Sequence, residues 1–302
     1  MSHIHADVAL LTDHRYTAST AASDDWYLGN ILRDDELLQK ALNKLGLTSV
    51  RIDWAGDGVD WSAFRCAVFR TTWDYYDRIS EFSAWLKTVE QQTLLCNDAS
   101  IIWWNLDKHY LSDIASKGIP VVPSRFIEIG ETIQLSRLLD ETGWEEAIIK
   151  PCISGSARHT YRVNSENAAA IQNIVQPLLS REAFMLQPFL SDIRTSGEYT
   201  LMIIDGQFTH AVRKTPKDGD FRVQDDHGGA VHPCDPTEEQ IELAKQTIAV
   251  CEPPPVYGRV DMVRGNNGEW VVMELELIEP ELWLREQPVA AEIFAGAISK
   301  II

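Results

Sequence analysis

Positive charge is scarce in this sequence: 27 Lys and Arg stand against 45 Asp and Glu, a formal net charge of −18. No basic stripe exists to neutralise a phosphate backbone, so general nucleic-acid affinity is excluded. A small anionic ligand is not excluded, because a few local lysines and arginines suffice to hold one. Long apolar runs are also absent. None approaches the roughly 18 residues that a membrane-spanning helix needs, and no membrane association is expected. The five cysteines (Cys66, Cys96, Cys152, Cys234 and Cys251) are odd in number, widely spaced and without a CxxC pair. They read as reduced intracellular thiols, not as a disulfide frame or a zinc site. The opening "MSHIHADVALLTDHR" holds an apolar run too short for a signal peptide and reads as a first strand, so the expected location is cytoplasmic. There is no Walker A loop, no GxGxxG fingerprint and no convincing Ser–His–Asp or Cys–His set. Repeats, low-complexity tracts and long linkers are missing too.

What is present is a globular composition, 302 residues with 45% hydrophobic content, enough for two or three compact units. Strands are expected at 7–12, 49–54 and 65–70, with helices over 31–45 and 80–91, the second capped by Ser80. This β-α-β-β-α order predicts a parallel, Rossmann-like unit over 1–100. A helix over 105–118 is closed by Gly118 and followed by an extended piece with edge prolines. Helix 131–142, strand 146–150, helix 165–180 and strand 184–187 complete a second unit over 101–190. A third, over 191–302, has two strands within 196–213, a long mobile loop over 214–235 and a helix over 237–250. It ends with a hairpin of strands 256–263 and 269–278 around "GNNG" and a helix over about 288–301. The fold class is therefore α/β (α+β).

That hairpin places carboxylates together. With Asn266 and Asn267 in the turn, Asp261 faces Val272, and Arg259, Asp261, Glu274 and Glu276 share one face. Val260, Met262, Val271, Met273, Leu275 and Leu277 form the opposite, core-facing side. Clustered like charges push each other's protonation upward. A divalent cation removes that conflict, and magnesium favours a few carboxylates while leaving positions for phosphate oxygens. A solvated strand face would carry the same alternation, but the register shared with Asp261 favours metal. Pro280 breaks the strand, which sets Glu279 and Glu281 at a rim, with Glu279 a substrate-contact candidate.

A site for magnesium and an anion needs cations. Lys150 ends an apolar strand and precedes the small-residue loop "PCISGSARHT", where loop N–H groups could meet phosphate oxygens. Lys108 falls within the expected helix at 105–118, where an ordinary surface lysine would look the same. Lys214 and Arg222 flank a loop that could close as a lid or be plain surface. Arg70 follows a strand of the N-terminal unit, where open α/β sheets bind ligands. With Thr71, Thr72, Trp73, Asp74 and Tyr75 it could grip an amino-acid-like substrate. Trp103 and Trp104 read as packing. His159 and His227, in the two loops, receive no role.

The ordered set "RTTWDYYDR", "WWNLDKHYL", "IIKPCISGSARHT", "MLQPFL", "SGEYTLMIIDGQFTHAVRKTPKDGDFRVQDDHGG", "GRVDMV" and "MELELIEPEL" resembles the ATP-grasp superfamily over nearly the whole chain. It is most similar to the glutathione synthetase-like branch with the D-cycloserine synthetase-like ligases. The resemblance implies two α+β subdomains that grip ATP behind the Rossmann-like unit. It implies that Lys108 and Lys150 contact the nucleotide phosphates, under a flap containing Ser154, Gly155 and Ser156. Gln187, Pro188, Phe189 and Leu190 would form the hinge against adenine, and Glu198 would hold the ribose hydroxyls. Lys214 and Arg222 would lie near the transferred phosphate. Asp261, Glu274 and Glu276 would bind one or two Mg2+ ions, and Arg259 would act on substrate or intermediate oxyanions. Many relatives have Asn where this chain has Glu276. The implied activity is carboxylate–amine ligation through an acyl phosphate, including cyclisation of one substrate, by a homodimer or homotetramer. A small-molecule kinase and a non-catalytic nucleotide-binding module are the competing readings.

Overall fold

The computed structural model describes residues 6–217, 219, 222, 223 and 228–302. His227, and with it part of the 214–235 segment, lies outside the described residues.

The first sheet is wholly parallel. Its strands are β1 (Val8–Thr12), β2 (Ser49–Asp53), β3 (Cys66–Thr71) and β4 (Leu94–Cys96), in the order β2-β1-β3-β4. β1 and β3 are buried at every position, which is why they read as continuous apolar runs and not as alternating ones. Helix α1 (Trp26–Lys44) starts earlier than its apolar spacing suggests, because the Asp25 carboxylate accepts from the Leu28 N–H at 3.0 Å. Helix α2 (Ile79–Val89) has no side-chain cap, so Ser80 lies inside it. β4, with three residues, is too short to show a pattern in sequence.

Two short helices follow, α3 (Ala99–Asn105) and α4 (Tyr110–Ser116), where the sequence suggested one. The break has tertiary causes. The Lys108 N–H donates to the Cys152 carbonyl at 3.0 Å. Asn105 accepts from the Leu277 N–H and donates to the Leu275 carbonyl, each at 2.8 Å. Lys108 therefore sits in the break and not within a helix.

The second sheet is antiparallel, in the order β5-β8-β6-β7, with strands β5 (Arg125–Ile127), β6 (Glu146–Pro151), β7 (Tyr161–Asn164) and β8 (Phe184–Pro188). Helices α5 (Leu135–Thr142) and α6 (Ala168–Leu178) contribute to its core through Leu135, Leu139, Ala168 and Val175. The third sheet is also antiparallel, ordered β11-β10-β9-β12-β13. It comprises β9 (Glu198–Ile204), β10 (Gln207–Thr215), β11 (Ala230–Pro233), β12 (Tyr257–Arg264) and β13 (Trp270–Glu276). Helix α7 (Glu238–Ala249) opens with a capping box between Thr237 and Gln240, and α8 (Pro288–Ile301) ends the chain.

Asn97 ties the first sheet to the third. Its amide donates to the carbonyls of Tyr257 (2.8 Å) and Leu277 (2.7 Å) and accepts from the N–H groups of Val256 and Tyr257. Leu38 and Leu42 of α1 share one apolar cluster with Phe294 and Ile298 of α8.

The β12–β13 register differs from the simple hairpin. Asp261 pairs with Glu274 and Arg259 with Glu276, but Met262 pairs with Val272. Met273 is thus an extra residue, a bulge that shifts pairing and swaps faces beyond it. Val263 and Val271 join Val122, Phe189 and Leu190 in one cluster, with Met273 packed against it, while Met262 and Val272 stay in the main core. Val271 and Met273 therefore leave the face assigned to them by strict alternation.

Candidate active site

The third sheet presents Asp261 (β12), Glu274 and Glu276 (β13) to a cavity that Lys108 and Lys150 also line. Register alone explains the carboxylate grouping: Asp261 lies directly across from Glu274, and Glu276 is two residues along the same strand. Arg259 donates to both oxygens of Asp261, at 3.0 and 2.8 Å, and pairs with Glu276. Its guanidinium lies over the Trp283 ring. Lys214, from β10, bridges Asp261 at 3.0 Å and Glu198. Lys108 pairs with Glu274 at 3.0 Å and donates to the Ser154 carbonyl at 2.6 Å.

These contacts set the ionisation of the cluster. Burial would raise the Asp261 carboxyl, but Arg259 and Lys214 hold it well below the usual range. Burial likewise works against Glu274, yet Lys108 and Lys150 keep it below its ordinary value. Glu276 is pushed up to about 7 by burial and by Glu274 and Asp261, against the pull of Arg259. Glu198 also rises to about 7, chiefly through burial. Burial lowers the Lys150 ammonium more than Glu274 can restore, with Lys108 adding repulsion. For Lys108 the balance is opposite: despite burial, Glu274 holds its ammonium above the ordinary value. Three carboxylates, of which one is driven toward neutrality by burial and by the other two, form an all-oxygen donor set that fits magnesium.

The loop after Lys150 is unusually bent. Ser156, Ala157 and His159 take φ of +47°, +54° and +49°, a conformation uncommon for residues with a Cβ and often concentrated at functional loops. Gly155 packs on Tyr76 so closely that a Cβ there would fall 2.5 Å from the ring. Ile148, Phe189, Leu190, Val122, Val223 and Met273 form an apolar part of the lining. Gln187 fixes that segment by donating to the Ser124 hydroxyl at 3.0 Å, and Pro188 lies beside it. Arg222 also lines the cavity.

Gly197 packs against the backbone of Lys214. Its φ is +78°, and a Cβ would meet the Lys214 carbonyl oxygen at 2.4 Å. Gly206 has a similar φ of +71° with nothing near its missing Cβ. Gly206→Ala should therefore cost about 1–2 kcal/mol from backbone conformation alone. Gly197→Ala adds a backbone clash and should cost about 3 kcal/mol or more. Urea unfolding of the two variants checks the difference.

The substrate group expected around Arg70 does not form. Arg70 is buried, with its Nε donating to Asp35 of α1 at 2.9 Å, and is absent from the cavity wall. Thr71 contacts Thr12 at 2.6 Å, Thr72 is fully buried, and Asp74 accepts from Trp54 at 2.7 Å and pairs with Arg78. A charged side chain at the end of a buried strand needs a partner, and Asp35 supplies it. Only Trp73 and Tyr75 of that stretch reach the cavity, and Glu279 lines it beside them. Tyr27, Tyr76 and Trp283 also line it and carry no sequence signal beyond being aromatic.

Two antiparallel sheets and a parallel one, with lysines and an acidic hairpin lining one cavity, define an ATP-grasp ligase, a class that uses ATP and magnesium. The family profile "D-cycloserine synthetase DcsG, N-terminal domain" matches residues 8–97, and "Prokaryotic glutathione synthetase, ATP-grasp domain" matches 121–252. The chain is 31% identical over 283 residues to the cycloserine biosynthesis protein DcsG of Streptomyces lavendulae, covering 87% of this chain and 92% of the relative. It therefore belongs to the DcsG family of ATP-grasp ligases. The crystal structure of D-cycloserine synthetase DcsG superposes with a TM-score of 0.86 and 30% identity, covering 98% of this chain and 99% of that one. D-alanine–D-alanine ligase from Bacillus anthracis shares the fold at 16% identity, with a TM-score of 0.63, covering 98% of this chain and 96% of that one. Among the described residues no helix is long and apolar enough to cross a membrane.

Proposed function

We propose that this protein is a cytoplasmic ATP- and Mg-dependent ligase that activates the carboxylate of an amino-acid-like small molecule as an acyl phosphate. A nitrogen of the same molecule then displaces phosphate and closes a ring. The observation that carries this reading is one cavity in which Asp261, Glu274 and Glu276 face Lys108 and Lys150. Asp261, Glu274 and Glu276 would hold one or two magnesium ions, which supply charge neutralisation between phosphate oxygens. Lys108 and Lys150 would bind phosphate oxygens beneath the 154–160 flap. The slot at 187–190 would take the adenine, and Glu198 the ribose. Lys214 and Arg222 would lie by the transferred phosphoryl, and Arg259 would stabilise the oxyanion when nitrogen attacks. No nucleophilic side chain is needed.

Ring closure is drawn from the similarity to DcsG. Opening the ring amide of cycloserine gives a serine whose side-chain oxygen carries a nitrogen, so O-substituted serines are the first substrates to test. The working division of the chain is 1–100 for substrate, 101–190 for the flap and 191–302 for the metal site, in a homodimer or homotetramer. Incubation with ATP, Mg2+ and O-substituted serines of both configurations should release equimolar ADP and phosphate. Mass spectrometry should show a product lighter than its substrate by one water. A stable phosphorylated product would instead establish a kinase.

A further inference from the structure

The cavity carboxylates are matched with cations, with one exception. Glu198 and Asp261 meet Lys214, Glu274 meets Lys108, Glu276 meets Arg259, and Glu281 meets Arg285 at 2.7 Å. Among the described residues, Glu279 has no ion pair, although it lines the same cavity.

Its surroundings are built and not slack. The Glu279 carbonyl accepts from the Trp73 indole N–H at 2.9 Å, and the preceding Ile278 carbonyl accepts from the Tyr257 hydroxyl at 2.6 Å. The Tyr75 hydroxyl donates to the Glu279 carboxylate. Trp73 and Tyr27 line the cavity nearby, their ring centroids 6.2 Å apart. A carboxylate that is fixed in place, lacks a cation and lies beside aromatic faces matches the chemistry that holds an organic ammonium. Lys150 is its counterpart, a cation lining the cavity without an ion pair among the described residues. Glu279, whose carboxyl burial and the neighbouring Glu276 push up to about 8, and Lys150 would suit a ligand set that is cationic at one end and anionic at the other.

We infer that Glu279 anchors a positively charged amine of the substrate, the α-ammonium of an amino acid, and so determines specificity for amino acids over their deaminated analogues. This rests on the ligase reading and names a feature of its substrate. In ring closure the α-ammonium is not the attacking nitrogen. Holding it at Glu279 orients the carboxylate toward the lysines without consuming the amine.

The test compares O-substituted serines with the matching 3-oxy-substituted propanoates, which lack the α-amino group, by ADP release. The native protein should favour the amino compound by roughly 10²- to 10³-fold in kcat/KM. Glu279→Gln keeps the Tyr75 and Trp73 contacts available and should reduce that preference below about 10-fold, mainly through KM, with ATP binding unchanged. A preference that survives in Glu279→Gln would overturn the anchor while leaving the ligase intact. So would a native protein that uses both compounds equally. A shift in the Mg2+ dependence of ATP binding without loss of the preference would make Glu279 a metal ligand instead. Failure of every pair to release ADP would remove the ligase reading, and the anchor with it.

Discussion

Glu274→Gln is expected to lower Mg-dependent turnover by about 10³-fold or more, close to 4 kcal/mol of transition-state stabilisation. Glu274 lies across the ladder from Asp261 and 3.0 Å from Lys108. Glutamine keeps the volume and can still accept from Lys108, so the variant should fold, with a melting temperature within a few degrees of the native protein. What it removes is the negative charge between two carboxylates and two lysines. If that charge serves a cation, the Mg2+ concentration needed to support ATP binding should rise in step with the loss of turnover. Calorimetric titration of ATP at several Mg2+ concentrations reads this without reference to catalysis. Unchanged turnover and unchanged Mg2+ dependence would reduce Glu274 to a structural partner of Lys108.

The legibility of this site in sequence followed the range of the interactions involved. The common face of Arg259, Asp261, Glu274 and Glu276 follows from strand alternation, and alternation is local. The bulge at Met273 escaped because nothing in "VVMELE" marks it; no glycine signals the extra residue. Its parity shift moved Val271 and Met273 into the cluster with Val122, Phe189 and Leu190, yet it lies beyond Asp261 and left the four charged residues together. The split between α3 and α4 escaped for another reason. The apolar spacing through 105–118 is intact, and the break comes from hydrogen bonds to β13 and Cys152, far along the chain. Arg70 misled for the same reason. A basic residue at the end of a strand suits a ligand and a buried ion pair equally well, and only the packing of α1 reveals Asp35 as its partner.

Lys150→Met should separate function from stability: turnover should fall about 10³-fold, while the fold becomes more stable. The pair Lys108 and Lys150 looks symmetrical in sequence but not in energy. Lys108 is satisfied by Glu274 and the Ser154 carbonyl, and its ammonium is held above the ordinary value despite burial. Lys150 has no ion pair among the described residues, and burial holds its ammonium below the ordinary value of 10.5. A depressed lysine means that the folded state binds its proton more weakly than the unfolded chain does. Stability then rises with pH between the folded value and 10.5, and at neutral pH the charge is a liability. Replacing it with an apolar side chain of similar length removes that liability, a change worth about 1–3 kcal/mol, or a few degrees in Tm. The gain should be largest near neutrality and shrink as pH rises toward 10.5, which scanning calorimetry across that range would show. Lys108→Met should do the reverse, because it strands Glu274 among like charges. If instead Lys150→Met melts below the native protein at pH 7, the ammonium is compensated in the free fold, and its availability for phosphate is lost as an explanation of the site.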